Sequence, residues 1–408
     1  MLLVLVYSGN QAPGRIFPID PQLVALALFL GFLFIRRSHR IFSFDFVLIG
    51  GIFACLLLVQ CVDFSFYPFV SMAGFFVRLF IGFTLIRLVD NFPRVFVRAM
   101  VGLALLSFAF HLPYLLLSTA DINMESIITR LAELLGTASV ARRPLLLHTF
   151  MGDFSPGNAG MFWEPGAFAG YLILALVLLA LVKDEITKQD YKRYFIILSI
   201  ALVTTLSTTG YVSFPLVLLL HYNWQGLSLN ETIGRWLLAA YVVLPLMIMV
   251  LSHSYQTIDF LQAKIDHQLQ VIEYREGRWH RGRIGSIIFD WEYVKRRPLS
   301  GWGLHSSTRY SLHPWMESSE GMGNGFSDFI AKFGIFGMLV FLTHLYWGVM
   351  YYTERNMFKS LYILVIVVML LQGEAFFGYP LFLGLMFLSG ALKEKQKVLV
   401  RPLSVQSV

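Results

Sequence analysis

The chain has 408 residues, of which 57% are hydrophobic and only 14% are charged, and its mean hydropathy is +0.66. A soluble protein of this length exposes far more charge, so the composition excludes that class and indicates a polytopic membrane protein. The net charge of +7 is then no evidence for a nucleic-acid partner, and two cysteines, Cys55 and Cys61, cannot build a disulfide framework or a thiolate metal site.

Apolar runs long enough to cross a bilayer, which takes about 20 residues, follow one another along the chain. They lie at 18–35, 46–62, 66–88, 95–117, 161–182, 235–252 and 326–350, and shorter runs lie at 194–206, 211–222, 359–372 and 376–391. We therefore predict an all-α polytopic membrane protein with about 11–12 transmembrane helices. Residues 1–408 are expected to form a single integral membrane domain.

Lysine and arginine in the short loops predict the orientation, because cytoplasmic loops carry an excess of them. They occur at 36–40, 91–98, 183–193, 353–359 and 393–397, whereas the opposite connections at 62–68, 207–210 and 373–380 contain none. This alternation requires that 194–222 crosses twice, with STTG (207–210) as the outer turn. A single helix there would invert every later span. We favour two crossings, since short helices that meet at polar backbone inside a membrane protein mark a cavity.

Two long segments then lie on the outer side of the membrane. Residues 118–160 form a first periplasmic segment, and 253–325 form a large periplasmic loop. Apolar residues at helical spacing predict amphipathic helices on the membrane surface, at 124–135 in the first segment and at 258–272 and 284–294 in the loop.

The large loop is rich in arginine. Its basic residues are Arg275, Arg278, Arg281 and Arg283, followed by Lys295, Arg296 and Arg297. One interpretation is a solvated basic surface that touches anionic headgroups. The other is a phosphate or diphosphate site, because a guanidinium group pairs two phosphate oxygens at once.

Two helix entries also carry polar residues. FWEPGAFAGYL (162–172) places Glu164 and Pro165 at the mouth of a span, where a carboxylate favours the helix dipole and proline suits the first helical position. Asn324 opens the span at 326–350, with Gly334 and Gly337 following it. A helix cap and close helix packing explain these three residues without any function.

Taken together, the motifs resemble the O-antigen polymerase and ligase superfamily, with its Wzy-type polysaccharide polymerases and WaaL-type O-antigen ligases. That superfamily has a large outer loop before the last spans and a motif of arginine, some fifteen residues, proline and a glycine pair. The chain matches this motif with Arg283, Pro298, Gly301 and Gly303.

The ligases continue with His-Asn, nine residues, glycine, two residues and glycine. This chain has Asn324, Gly334 and Gly337 in that pattern, but Gly323 replaces the histidine. The EP-containing helix entry is similar to that of exopolysaccharide polymerases. In the break TLSTTG, where family members often carry an arginine, this chain has Thr208 and Thr209.

The resemblance implies a C-type glycosyltransferase-like fold and a metal-independent enzyme without a cofactor on the outer face of the bacterial inner membrane. Such an enzyme transfers a glycan from undecaprenyl diphosphate to a hydroxyl group, with inversion. Diphosphate is a good leaving group, so cations are needed where negative charge grows. Because glycine can replace neither a base nor an orienting histidine, we favour a polymerase of polyprenyl-diphosphate-linked oligosaccharide repeats for an exopolysaccharide, capsule or O-antigen over a ligase.

On this resemblance the expected catalytic residues are Arg283, Glu164 and Asn324, and the expected substrate-binding residues are Arg281, Arg278, Arg297, Trp163, Gly301, Gly303 and His305. Glu164 would bind, deprotonate or face an acceptor hydroxyl, or orient an arginine. Trp163 would stack on a sugar ring, unless it belongs to the interfacial aromatic belt. A substitute base is available nearby in His305, His313, Glu317 and Glu320, although a solvated loop position explains each of them more simply.

The expected partners are the polyprenyl-diphosphate-linked oligosaccharide, membrane lipids, a chain-length regulator and a flippase. A lipid-linked oligosaccharide transporter is the alternative of a different class. Transporters more often show repeats and charges in the middle of several spans. Here Arg78 and Arg87, on one span, are the mid-span charges.

Overall fold

The computed structural model of the chain describes residues 19–37, 43–119, 124–137, 142–151, 157–221, 283–313 and 323–390, with residue 234 and a few residues before 14. The first helices are α1 (Ile19–Arg36), α2 (Phe44–Phe64), α3 (Phe69–Leu88), α4 (Phe92–Thr119) and α5 (Met124–Leu134). A hairpin of β1 (Arg142–Pro144) and β2 (Thr149–Met151) precedes α6 (Pro165–Leu181), α7 (Lys188–Thr204) and α8 (Thr208–His221). The remaining helices are α9 (Arg283–Arg296), α10 (Ser306–Arg309), α11 (Gly325–Tyr352), α12 (Met357–Leu371) and α13 (Pro380–Gly384).

The all-α membrane architecture predicted from composition is confirmed. Among the described residues, α2, α3, α4 and α11 are long and apolar enough to cross a membrane, and α6, α8 and α12 are shorter apolar helices. All residues of α6 are buried. A helix that is apolar on every side is stable when other helices enclose it, and α4, α7, α8 and α12 surround α6 in this way.

One predicted span differs in form from a continuous helix. Residues 376–391 contain a 3₁₀ turn at Phe376–Gly378, then α13, then a second 3₁₀ turn at Leu385–Phe387. This part crosses α3 so closely that a Cβ atom on Gly384 would lie 2.7 Å from the carbonyl oxygen of Gly82. The predicted span 235–252 and the predicted helix 258–272 lie outside the described residues.

Residues 188–221 form two antiparallel helices, as the two-crossing interpretation predicted. The hydroxyl of Tyr191, at the start of α7, hydrogen-bonds Nδ1 of His221, at the end of α8. The other nitrogen of His221 lies 3.0 Å from the carbonyl oxygen of Leu176 near the end of α6. The polar break at 205–207 therefore lies at the opposite end of the bundle, beside the start of α6.

The two ends of the helix bundle differ in the loops that they bring together. At the Arg87 end, Arg87 pairs with Asp45 at 3.1 Å and Asn91 hydrogen-bonds Glu185, so three of the basic short loops meet there. The Glu164 end collects the starts of α6, α8 and α11 and the connection after α12. This segregation agrees with the loop pattern from which we predicted the orientation.

Helix α11 contains a kink that receives the arginine–proline–glycine motif. Gly334 has φ 71° and ψ 176°, a conformation open to glycine and strained for other residues. The free N–H of Ile335 donates to the Pro298 carbonyl oxygen at 2.7 Å, and the N–H of Trp302 donates to the Ala331 carbonyl oxygen at 2.9 Å. A side chain on Gly334 would collide with the Leu299 carbonyl group.

The two segments that were predicted to be periplasmic contain the predicted amphipathic helices at 124–135 and 284–294, as α5 and α9. The β-hairpin in the first segment was not predicted. Its strands have three residues each and pair with Arg142 opposite Met151 and Pro144 opposite Thr149. A strand this short shows too little alternation of polar and apolar residues to be recognised from sequence.

Candidate active site

Four charged side chains form a row at the Glu164 end, which we call the Glu164 cluster: Arg142, Glu164, Glu374 and Arg283. Nη2 of Arg142 lies 2.8 Å from Oε2 of Glu164. Glu164 and Glu374 hydrogen-bond each other through their carboxyl groups. Nη2 of Arg283 lies 3.0 Å from Oε1 of Glu374. The two carboxyl groups thus touch each other, with an arginine at either end of the row.

Glu164 is held by the entry into α6. It is extended (φ −164°, ψ 164°) at the N-cap position, Pro165 follows at the first helical position, and the Glu164 side chain makes no capping hydrogen bond. The helix-entry role assigned to Pro165 is therefore present. The Glu164 carboxylate is directed instead to Arg142 and Glu374.

The hairpin presents Arg142 to Glu164. The N–H of Thr149 on β2 donates to the Gly160 carbonyl oxygen at 2.7 Å, which ties the hairpin to the segment leading into α6. The next residue, Arg143, is directed elsewhere and donates from Nε to Oγ1 of Thr129 on α5 at 2.5 Å.

Arg283 is the first residue of α9 and reaches the connection after α12. Its Nε donates to the Gly373 carbonyl oxygen at 2.7 Å, while Nη2 contacts Glu374. The start of α11 packs on the same connection, because a Cβ atom on Gly325 would collide with the Glu374 carbonyl group. The break of the α7–α8 pair joins them, since a Cβ atom on Gly373 would lie 3.1 Å from Cγ2 of Thr209.

Gly166, in the first turn of α6, leaves room for the central contacts of the cluster. A Cβ atom there would lie 2.7 Å from Nη2 of Arg283, 2.8 Å from Oε1 of Glu374 and 3.3 Å from Oε1 of Glu164. Any larger residue would displace the groups that meet at this point.

Burial raises the pKa of the Glu374 carboxyl well above its usual range, the adjacent Glu164 raises it further, and Arg283 opposes both effects. The Glu374 side chain is only 13% exposed, against 24% for Glu164. The raised pKa favours the protonated form of Glu374, and its proton is then shared with the adjacent Glu164 carboxyl group.

The structure brings only some of the predicted site residues to the cluster. Arg283 and Glu164 belong to it, and Trp163 is next to it, 6% exposed and stacked on Tyr379 with ring centroids 4.5 Å apart. Arg278 and Arg281 lie outside the described residues, as do Glu317 and Glu320. Asn324 caps α11, and its Oδ1 accepts from the N–H of Ser327 at 2.9 Å.

The other predicted residues lie in the motif between α9 and α11. Gly301 and Gly303 have φ of 69° and 87° and dock against the kink of α11. Arg297 pairs with Asp63 and covers the ring of Phe64, with its guanidinium carbon 4.4 Å from the ring centroid. His305 caps the short α10. These contacts give each of the four a packing role, and their predicted substrate contacts stay predictions.

A second row of charges lies beneath this motif, and we call it the Arg309 cluster: Asp290, Arg309, Asp328 and Lys332. Arg309 contacts Asp290 and lies 3.4 Å from Asp328, which pairs with Lys332 at 2.6 Å. Arg309 is 1% exposed, and Asp290 is not exposed at all. The cluster connects α9, α10 and α11.

Sequence reasoning did not identify Glu374 or Arg142 as site residues. A signal was present for Glu374, because it is the acidic residue of a connection predicted to be outer, GEAFFGYP (373–380), that has no basic residue. For Arg142 there was no signal, since its role depends on the unpredicted hairpin.

A family model described as O-antigen ligase matches residues 194–342. The match confirms the predicted resemblance to the O-antigen polymerase and ligase superfamily and supports glycosyl transfer in surface polysaccharide assembly by a multi-pass membrane protein. It includes Arg283 and Asn324, while Glu164 and Glu374 lie outside the matched range. No curated protein and no solved structure matches the chain.

Proposed function

From the O-antigen ligase family match over residues 194–342, we propose that this chain is a polymerase of polyprenyl-diphosphate-linked oligosaccharide repeats, acting at the outer face of the inner membrane. The observation that carries the proposal is the Glu164 cluster, in which two adjacent carboxyl groups lie between two arginines. This arrangement supplies a base for an acceptor and cations for a leaving group in one place.

The reaction assigns one task to each part of the cluster. An acceptor sugar hydroxyl loses its proton to Glu164 while its oxygen forms a bond to the anomeric carbon of the donor. The bond from that carbon to the diphosphate oxygen breaks, and its electron pair leaves with the diphosphate. Arg283 stabilises the negative charge that grows there, because a guanidinium stays charged at any relevant pH.

Glu374 is proposed as a positioning residue. Its proton is donated to Glu164, which orients that carboxylate, and its other oxygen accepts from Arg283. Because the base and the cation are held through the same side chain, the acceptor and the leaving group are bound in a common geometry.

The description of the matching family favours a second candidate, an O-antigen ligase that transfers the glycan to another acceptor. The same base, Glu164, and the same cation, Arg283, serve either reaction. Gly323 at the position of the ligases' histidine favours the polymerase, because Glu164 then takes the place of the absent base.

The glycan profile of a strain that lacks the protein tests the proposal. Loss of a polymerase leaves single repeat units attached to the acceptor, whereas loss of a ligase leaves none. Single attached repeats are expected, and complete absence of attached glycan would replace the polymerase with the ligase. An unchanged glycan profile would contradict both the polymerase and the ligase as functions of this chain.

The proposed side of the membrane has its own test. Reporter fusions near residue 290 should report the periplasm, and fusions near residue 395 should report the cytoplasm. The opposite assignment would place the Glu164 end in the cytoplasm and would contradict the reaction at the outer face.

A further inference from the structure

Of the two arginines predicted to lie in the middle of α3, only Arg78 does so, because Arg87 is in the last turn of the helix, and the two have different surroundings. Arg87 pairs with Asp45 at 3.1 Å and lies over the ring of Phe83, at 5.7 Å from the centroid. Within the part of the chain that the structure describes, Arg78 makes no hydrogen bond and no ion pair. A charged side chain in a membrane span is expensive unless it faces a partner or a polar cavity, so Arg78 requires an explanation that Arg87 does not.

The position of the Arg78 guanidinium is set by α3. Arg78 is the tenth residue of the helix Phe69–Leu88, about 13 Å from its first residue at 1.5 Å per residue. Nη1 lies 3.0 Å from where a Cβ atom of Gly74 would be. The side chain thus runs back by about one turn toward the Glu164 end, and the absence of a side chain on Gly74 makes room for it.

Tyr379 connects Arg78 to the Glu164 cluster. It lies within electrostatic range of Arg78 and also of Arg142, Glu164 and Glu374. Asp20, at the exposed start of α1, is within electrostatic range of Arg78, and the described residues show no ion pair between the two. Arg78 is therefore on the membrane side of the cluster, below Tyr379.

The charges around Tyr379 leave an excess of positive charge. Arg78, Arg142 and Arg283 contribute three positive charges, while Asp20 and the two glutamates, which share one proton, contribute two negative charges, so one positive charge is in excess. Such an excess beside a membrane-spanning helix suits an anion attached to a lipid.

We propose that Arg78 binds the lipid-proximal phosphate of an isoprenoid diphosphate on the membrane side of the Glu164 cluster. The inference rests on the proposed function and deepens it, because it assigns the lipid end of the donor to the span of α3. Arg283 then contacts the phosphate next to the sugar, and the isoprenoid chain continues into the bilayer.

Binding to the purified full-length chain in phosphatidylcholine nanodiscs tests this assignment, with geranylgeranyl diphosphate as the probe. Arg78→Gln should weaken binding by about 10- to 100-fold, the effect of losing a hydrogen bond to a charged group. Arg78→Lys keeps the positive charge but lacks the planar guanidinium group. Its affinity for the probe should therefore lie between those of the wild type and Arg78→Gln. Geranylgeranyl monophosphate, which retains the lipid-proximal phosphate, should lose affinity for Arg78→Gln in the same way.

Thermal stability separates a ligand contact from a structural one. Arg78→Gln removes from a span a charge that has no ion-pair partner among the described residues, and it should unfold at the same temperature as the wild type or higher. The matched variant Arg87→Gln strands Asp45 and should unfold at a lower temperature. A lower unfolding temperature for Arg78→Gln, or its failure to fold together with wild-type binding by Arg78→Lys, would overturn the assignment.

The remaining outcomes identify which proposal fails. If the wild type binds geranylgeranyl diphosphate and Arg78→Gln binds it equally well, the assignment of Arg78 is wrong and the proposed function stands. If the wild type does not bind the probe, the isoprenoid diphosphate is not the donor. The assignment of Arg78 to its lipid-proximal phosphate is then wrong as well. If native mass spectrometry shows that Arg78→Gln loses retained phosphatidylglycerol while keeping its diphosphate affinity, the arginine binds a phospholipid headgroup instead.

Discussion

The Glu164 cluster and the Arg309 cluster contain the same charged groups, two carboxyls and two cations, in a different order. Along the Arg309 cluster the charges alternate, so Arg309 lies between Asp290 and Asp328, and Lys332 completes the row. Along the Glu164 cluster the two carboxyls are neighbours and the arginines are at the ends.

The order of the charges decides what each cluster is able to do. An alternating row places every charge next to an opposite charge, and a buried network of this kind costs most when one member is removed. A row with adjacent carboxyls retains a proton between them and leaves one carboxylate able to take up another. The first arrangement holds three helices together, and the second is suited to proton transfer.

The largest expected effect is that of Glu164→Gln. Removing a general base lowers the rate by about 10²- to 10⁴-fold, and Glu164→Ala should be equally inactive, while both variants accumulate in the membrane. Polymerisation by purified protein is the measurement, and Glu133→Gln, on the exposed side of α5, is the matched control. Substantial activity of Glu164→Gln would reduce Glu164 to a helix-entry residue and would make the two clusters alike.

Arg283→Lys is expected to lower polymerisation by about 10²-fold, the effect of losing one group that stabilises a developing negative charge. A lysine cannot reach the Gly373 carbonyl and Glu374 together in the way that the guanidinium does. Arg130→Lys, an exposed substitution on α5, should change nothing. Unaltered glycan chain length for Arg283→Lys would remove this arginine from the site.

Gly166→Ala should lower activity by about tenfold, because its Cβ atom would displace both Arg283 and Glu374. Gly102→Ala in α4 is the control, since nothing lies within 4 Å of its new Cβ atom. Equal rates for the two variants would mean that the contacts at Gly166 are not needed in their observed geometry.

Glu374→Gln tests the assignment of the proton. Below its raised pKa Glu374 is protonated, and an amide donates a similar hydrogen bond to Glu164, so activity near neutral pH should stay within about tenfold of the wild type. As pH rises through that pKa, the wild type loses the proton and its rate should fall. The rate of the variant should not fall at that step, and a pH–rate profile decides between the two. A variant as inactive as Glu164→Gln would place the base on Glu374.

The smallest effect on the rate per folded molecule is expected for Arg309→Met, because Arg309 is not among the residues of the Glu164 cluster. Its loss strands two buried carboxylates and should cost about 3–5 kcal/mol of stability. Reduced accumulation and a lower unfolding temperature are the readouts, with Lys295→Met, on the exposed side of α9, as the control. If Arg309→Met is stable but inactive, the Arg309 cluster belongs to the active site.

Several features of the fold were predictable from local sequence. Asn324 and Pro165 take the helix-start positions that their residue types favour, and the periodicity at 284–294 predicted α9. The glycines of the motif at 298–303 were assigned to substrate, whereas Gly301 lies against the kink at Gly334. A close approach between two backbones far apart in the chain leaves no periodic pattern in the sequence.

By itself the sequence determined the membrane class, most helix positions and the segregation of basic loops. The physical reason is that a bilayer requires long apolar helices and biases lysine and arginine to one side, and both constraints act on consecutive residues. Only the tertiary structure decided that Glu374 meets Glu164, that a hairpin presents Arg142, and that Arg87 has an ion-pair partner whereas Arg78 has none among the described residues. These outcomes depend on which helices are neighbours and at what depth, and packing between distant segments sets both.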